Sequence, residues 1–208
     1  QSPPTRYASF ITAFSERERA DLLCRDFTAA QNPGRPESLV RDIFDSGDAD
    51  GLLHNLLLSD IQLYLPGDLL TLTDRVSMFH SLEVRVPFLD HPLVELMAQI
   101  PPQYKTSLWS KKILFKKALR NLLPASILHR KKLGFSVPLA LWLRTDLKAM
   151  MCDTLSPHIL KDIGFLNVTE VQRIVAEHVD GRANHETKLW GLINLVSWWR
   201  DGRRCYKN

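Results

Sequence analysis

The sequence predicts a mainly α-helical protein, and three observations carry that reading. Apolar residues recur at three- and four-residue spacing in segment after segment. Ser, Asp or Asn opens these segments, and Pro or Gly closes them. No series of alternating segments occurs that could build a sheet, and there is neither an internal repeat nor a low-complexity tract. At 208 residues, 45% apolar and 24% charged, the composition is that of an ordinary globular protein. Such a chain can bury one substantial core, so a single helical domain over residues 1–208 is expected.

The elements follow in order. Ser15 and Glu18 have capping-box spacing, in which each side chain satisfies a free backbone N–H at the helix start, so SERERADLL is read as a helix. After the turn-rich NPGRPE, SLVRDIF forms another helix that ends in DSGDADG. That loop sets Ser46, Asp48, Asp50 and Gly51 at the first, third, fifth and sixth positions of a calcium loop. Its twelfth position is Leu57, where a bidentate Glu is needed, so a capping turn and no metal site are expected. Leu53, Leu56, Leu57 and Ile61 stripe a helix predicted to run to Leu65 and stop at Pro66 and Gly67. Asp68 is then placed to cap a second helix. Leu69, Leu72, Val76 and Phe79 make its core face, and Asp74, Ser77 and Ser81 share a polar one.

EVRVPFLD breaks the helical period, because Val84 and Val86 alternate with Glu83 and Arg85 and Pro87 forbids continuation. It is read as extended. Glu83, Arg85 and Asp90 would need partners there, and a buried ion network that fixes the turn is the plain structural reading. Asp90 caps the next helix, Pro92 suits its first turn, and the pair beginning at Pro101 ends it. Ser110 opens KKILFKKALRNLL, HRKKLGFS follows as a basic loop, and Ser136 and Pro138 begin another helix. Asn167 with Glu170 is a second capping box, and Asn184 precedes LWGLINLVSWW. The tryptophans at 190, 198 and 199 sit at helical spacing in an apolar segment, which favours core and rim packing over a stacking platform.

Several function classes lose ground on composition. No apolar stretch approaches the length of a membrane span. The amino end, QSPPTRYASF, lacks the basic flank and apolar run of a secretory signal, so a cytoplasmic location is expected. Cys24, Cys152 and Cys205 are odd in number and lack metal-ligand spacing, and they read as reduced, mostly structural thiols. The net charge of +4 comes from 27 basic and 23 acidic residues spread along the chain. A basic helical module that binds nucleic acid stays open only as an alternative, resting on the stretch from His129 to Lys132. The adjacent Asp74 and Arg75 read either as a structural ion pair or as functional groups.

Longer motifs carry a family likeness. LPGDLLTLTDRVSMFHSLEVRVPFLDHPLVE resembles the asparagine synthetase signature, in which an LPxDLL helix leads into DRxSM and then LExRVPFLDH. SKKILFKKALRNLLPASIL and HRKKLGFSVPLALWLR are similar to the family's lysine-bearing helix, its LLPxxIL turn and its RxKxGFxVPxxxWL segment. RYASFITAFSERERADLL resembles the stretch that follows the family's nucleotide-binding core. The likeness covers nearly the whole chain.

The resemblance implies the helical C-terminal lobe of an adenine-nucleotide α-hydrolase-like (PP-loop ATP pyrophosphatase) synthetase domain, with the sheet and the SGGxDS phosphate loop lying outside this chain. In that family aspartate attacks the α-phosphorus of Mg-ATP, and ammonia derived from glutamine converts the β-aspartyl-adenylate to asparagine. Lys132 matches the family lysine in RxKxGF, suited to meet negative charge at the α-phosphate or departing pyrophosphate. Asp68 is the motif's candidate for the carboxylate near the acyl group. Asp74 and Arg75 match the DR pair and are expected to shape the aspartate and adenylate pocket. The glutaminase portion, the phosphate loop and an acidic SGEGxDE-type loop are expected upstream of Gln1. This chain alone is accordingly expected to be inactive, to bind ATP and Mg weakly if at all, and to self-associate through an uncovered apolar face. An amide-forming paralogue of the β-lactam synthetase kind is the alternative within the superfamily.

Overall fold

The structure, a computed structural model, describes residues 2–29, 35–46, 51–131 and 137–205. It is mainly α, as expected. The helices are α1 (Pro3–Ile11), α2 (Glu16–Leu22), α3 (Arg25–Ala29), α4 (Arg35–Ser46), α5 (Leu52–Ser59), α6 (Thr71–Phe79), α7 (His91–Gln99) and α8 (Pro102–Lys105). They continue with α9 (Ile113–Ala118), α10 (Ala125–Leu128), α11 (Leu139–Trp142), α12 (Lys148–Thr154), α13 (Pro157–Ile163), α14 (Val168–Val179) and α15 (Glu186–Cys205). Among the described residues the only β pairings are isolated bridges, Leu23 with Leu166 and Thr106 with Lys111. The chain divides into two compact units, Gln1–Leu39 with Phe135–Asn208, and Val40–Gly134.

The first unit is built on α12 to α15. Leu189, Leu192, Ile193 and Val196 recur at helical spacing on α15 and pack with Val171 and Ile174 of α14, Leu160 of α13 and Met151 of α12. Leu143, Met151, Leu155, Leu160, Leu189 and Val196 have no exposed surface. The capping box at α2 forms as predicted: the Glu18 N–H donates to Ser15 Oγ at 3.3 Å, and the Ser15 N–H donates to Glu18 Oε2 at 2.9 Å. Lys188 of α15 also donates to the Glu18 carboxylate, and this contact holds the Glu18 pKa down to about 2. Arg19 Nη2 reaches both oxygens of Glu37 at 2.5 and 2.7 Å.

The second predicted box is realised by half. Asn167 Oδ1 accepts the Glu170 N–H at 3.4 Å, but the Glu170 carboxylate is held by Arg173 at 2.6 and 2.8 Å and does not reach back. An Arg one turn along the helix competes for the carboxylate with a charge-assisted fork. Of the tryptophans, Trp199 packs on the core, edge-on to Phe165 at 5.1 Å. Trp198 is 68% exposed, a correction to the packing expected for it: it lies on the side of α15 opposite the leucine and isoleucine stripe.

In the second unit, the helix does not stop at Pro66 and Gly67. Helical backbone runs from Leu52 through Phe79, with a π-helical segment over Asp60–Leu70 that contains Pro66. The wider π turn moves the proline ring off the carbonyl it would strike in an α-helix, and Thr71 Oγ1 donates to the Pro66 carbonyl at 2.6 Å. Asp68 is therefore an exposed residue inside a helix and not a cap. The predicted core face is also corrected. Leu69, Leu72, Val76 and Phe79 are 43%, 59%, 54% and 85% exposed, because amphipathic spacing marks where a helix needs cover and not whether cover is present.

α6 ends in a Schellman motif: the Ser81 N–H donates to Met78 O and the Leu82 N–H to Ser77 O, each at 2.9 Å. Ser81 takes the left-handed position at φ 58°, where glycine is the usual occupant. EVRV then runs without helix, and PFL makes one 3₁₀ turn. Arg85 and Glu83 pair at 2.6 Å, but the side chains are 84% and 66% exposed, so the expected buried network is a solvated ion pair of small energy. Asp90 holds the N-cap position of α7, but its side chain makes no capping bond, a correction to the cap expected there. Ser110 does not open α9. It closes a turn with Ser107, whose Oγ accepts the Ser110 N–H at 3.1 Å, and α9 starts only after Lys112 at φ 59°. Residues 30–34, 47–50 and 132–136, which hold the NPG turn, most of the DSGDADG loop, Lys132 and Ser136, lie outside the described residues.

Candidate functional site

The path of the chain after α6 determines what surrounds Asp74. The reversal at Ser81 brings the extended stretch back beside the helix, and alternate residues of an extended chain share a side, so Val84 and Val86 project together. With Leu70, Thr71, Thr73 and Asp74 they line an open groove of about 370 Å³. Three aliphatic side chains flank two hydroxyls and one carboxylate. The Thr71 hydroxyl proton is committed to the Pro66 carbonyl, so that oxygen offers lone pairs to the groove. Together with Asp74 this makes an edge rich in hydrogen-bond acceptors, suited to a small ligand that carries a donor or a positive charge.

The predicted site residues separate at this point. Asp74 lines the groove, whereas Asp68 and Arg75 are exposed residues of the same continuous helix and are not among its lining side chains. Neither Asp74 nor Arg75 forms an ion pair among the described residues, so the structural pair that their adjacency suggested is not made. Lys132 lies outside the described residues, while His129, Arg130 and Lys131 before it are exposed. His91 stands at the start of α7, 3.7 Å from Glu95 and in solvent.

Thr71 and Thr73 went unnoticed in the sequence, since a helical threonine has no spacing that distinguishes it. Lys105 did too. Its Nζ lies 3.1 Å from His54 Nε2, and burial lowers its pKa. A second groove, of about 650 Å³, lies in the first unit between Asp21, Leu23, Cys24 and Arg25 and the start of α14, and it contains none of the predicted site residues. Among the described residues, no three His, Cys, Asp or Glu side chains converge as a metal site, and no helix is long and apolar enough to cross a membrane.

Comparison with known proteins places these observations. The chain is 30% identical over 194 residues to asparagine synthetase [glutamine-hydrolyzing] 1 of Bacillus subtilis (strain 168), which covers 93% of this chain and 30% of that protein. It is 32% identical over 144 residues to a putative asparagine synthetase [glutamine-hydrolyzing] of Mycobacterium tuberculosis (strain ATCC 25618 / H37Rv), covering 67% of this chain and 21% of that one. It is 23% identical over 177 residues to amidase chry2 of Gibberella zeae, covering 79% of this chain and 26% of that one. The chain thus spans about a third or less of the length of these relatives. No solved structure matches it. The profile of the asparagine synthase family matches residues 5–200, nearly the full sequence and both compact units, and the chain belongs to that family.

Proposed function

We propose that this chain is the carboxy-terminal helical lobe of a PP-loop synthetase that amidates aspartate, consuming ATP and releasing AMP. The continuous family match over residues 5–200 carries the reading, supported by the place of Asp74 on the groove. Aspartate is activated as β-aspartyl-adenylate, and ammonia from glutamine displaces AMP; the nucleotide-binding and glutaminase portions belong to the rest of a longer protein, in the cytoplasm. In this scheme Lys132 meets the charge that grows on the α-phosphate and pyrophosphate, Asp68 takes the proton released as ammonia attacks, and Asp74 and Arg75 wall the substrate pocket. In the longer protein ATP would arrive as its magnesium complex, and the described residues of this chain, which bring no three His, Cys, Asp or Glu side chains together, would leave the metal to the nucleotide-binding portion.

The test is to supply the longer gene product with ATP, aspartate and ammonia or glutamine and to measure AMP and asparagine. Lys132→Ala should reduce AMP formation by at least about a hundredfold while glutamine hydrolysis and thermal stability hold. Equal loss of stability and activity would assign Lys132 to structure, and absence of AMP from the unaltered protein would end the reading. The 208-residue chain alone should form no AMP. A similar protein that carries a different name, an amidase, leaves room for a second reading, an amide-forming enzyme with another acid as acceptor. Competing carboxylates in the same assay separate the two.

A further inference from the structure

His178, on the last turn of α14, is a buried titratable group that the amidation chemistry does not use. Its ring has no exposed surface, and both nitrogens are engaged. The His185 backbone N–H donates to Nδ1 at 3.1 Å, which leaves the ring proton on Nε2, where it is donated to the Ala140 carbonyl at 3.2 Å. The other side of Ala140 is also held, its N–H donating to Glu186 Oε2 at 2.9 Å. Arg144 Nε donates to the His178 carbonyl at 2.8 Å and Arg144 Nη2 to Ala183 O at 3.4 Å. One imidazole thus joins α11 to the corner between α14 and α15.

We propose that His178 is a proton-operated latch on that corner: neutral, it ties Ala140 to the His185 amide, and protonated, it lets that amide go. A second ring proton can only be placed on Nδ1, where it would face the His185 N–H, donor against donor. The bond to Ala140 survives protonation, so the release is confined to the corner and α11 stays anchored.

The charged surroundings set the direction. Burial, the Arg144 guanidinium and His185 disfavour a charged ring, while the Ala140 carbonyl and Glu186 favour one, and burial leads, so the His178 pKa is lowered from its ordinary 6.5. An opened corner binds the proton more readily than a closed one, and closure is therefore at full strength above pH 6.5 and erodes as pH falls below it. The His185 ring has a partner of its own: Nε2 lies 2.8 Å from Glu177, itself held by Arg173. The His185 amide, not its ring, is the reporter that isolates the latch.

Amide hydrogen exchange followed by NMR on the 208-residue chain, from about pH 7.5 to about 5, tests this. After correction for intrinsic rates, protection of the His185 amide should fall by up to about tenfold per pH unit below 6.5, while Leu192 and Val196 keep theirs. In His178→Gln the side-chain amide can still donate to Ala140 but cannot titrate, and the pH dependence at His185 should vanish. If His185 protection is flat in the unaltered chain, or falls together with that of Leu192 and Val196, the latch is refuted. Should the Gln variant not fold, the ring ¹⁵N shifts of the unaltered chain decide alone: Nδ1 taking its proton with no change at the His185 amide rejects the proposal.

Discussion

The two compact units are both made of amphipathic helices and end up differently. In the first, Leu143, Met151, Leu155 and Leu160 are sealed from solvent by neighbouring helices. In the second, Val40 is the only described apolar residue below a tenth exposed, while Phe79, Leu108 and Trp109 are 85%, 96% and 94% exposed. The contrast separates two things that helical periodicity merges. Propensity, caps and turns are local and form the helices of either unit, whereas burial needs a facing surface, and only the first unit supplies its own among the described residues.

The sharpest way to break this comparison is to cut a leucine from one unit and a phenylalanine from the other. Leu155→Ala should cost about 2–5 kcal/mol, because it removes transfer energy and leaves a cavity in a close-packed core. Phe79→Ser should stay within about 0.5 kcal/mol, as at any exposed position, and should lower the apparent mass in light scattering if this face draws copies together. Paired urea titrations measure both, and comparable losses would mean that the second unit is as well packed as the first. Next in size is Ser81→Gly. Glycine takes the left-handed C′ position without the Cβ clash, so a gain of about 1 kcal/mol is expected in the same titration.

The smallest effect lies on the acid side of the first unit. The Lys188 contact holds the Glu18 carboxyl near 2 against an ordinary 4.5. A carboxyl with a lowered folded pKa stabilises the fold above its unfolded value and loses that contribution as pH falls from 4.5 through about 2. Glu18→Gln should accordingly be slightly less stable at neutral pH, with the difference closing over that window and shrinking in high salt, since the Glu18 side chain is 41% exposed. A difference that persists unchanged at pH 2 would assign the effect to the lost capping bond instead.

What the sequence disclosed follows the same division. The Ser15–Glu18 box was legible because both partners lie within one turn, and Lys188 takes only the other carboxylate oxygen, Oε1, leaving Oε2 to the cap. Asn167–Glu170 was half legible, for Arg173 is also one turn away and claims the carboxylate. Pro66 was misread because the rule that proline ends a helix holds for α geometry, and the segment adopts π geometry. Ser81 and Lys112 were invisible as left-handed residues, since that position is read from glycine. Motif likeness pointed to Asp74, and that residue lines the groove. The likeness could not find Thr71 or Thr73, whose place on the groove depends on where Ser81 turns the chain.

That π segment sets an angle as well as a length. In an α-helix each residue advances the side-chain direction by about 100°, so one residue more or fewer in a turn rotates everything downstream by that amount without moving it far along the axis. The eleven residues from Asp60 to Leu70 therefore act as a phase adjuster between the apolar stripe of α5 and the Thr71–Asp74 edge of α6. Deleting one residue there would tighten the coil toward α and turn Asp74, together with the Val84 and Val86 wall that follows it, by about 100° relative to the apolar stripe of α5, with every side chain of α6 left chemically intact.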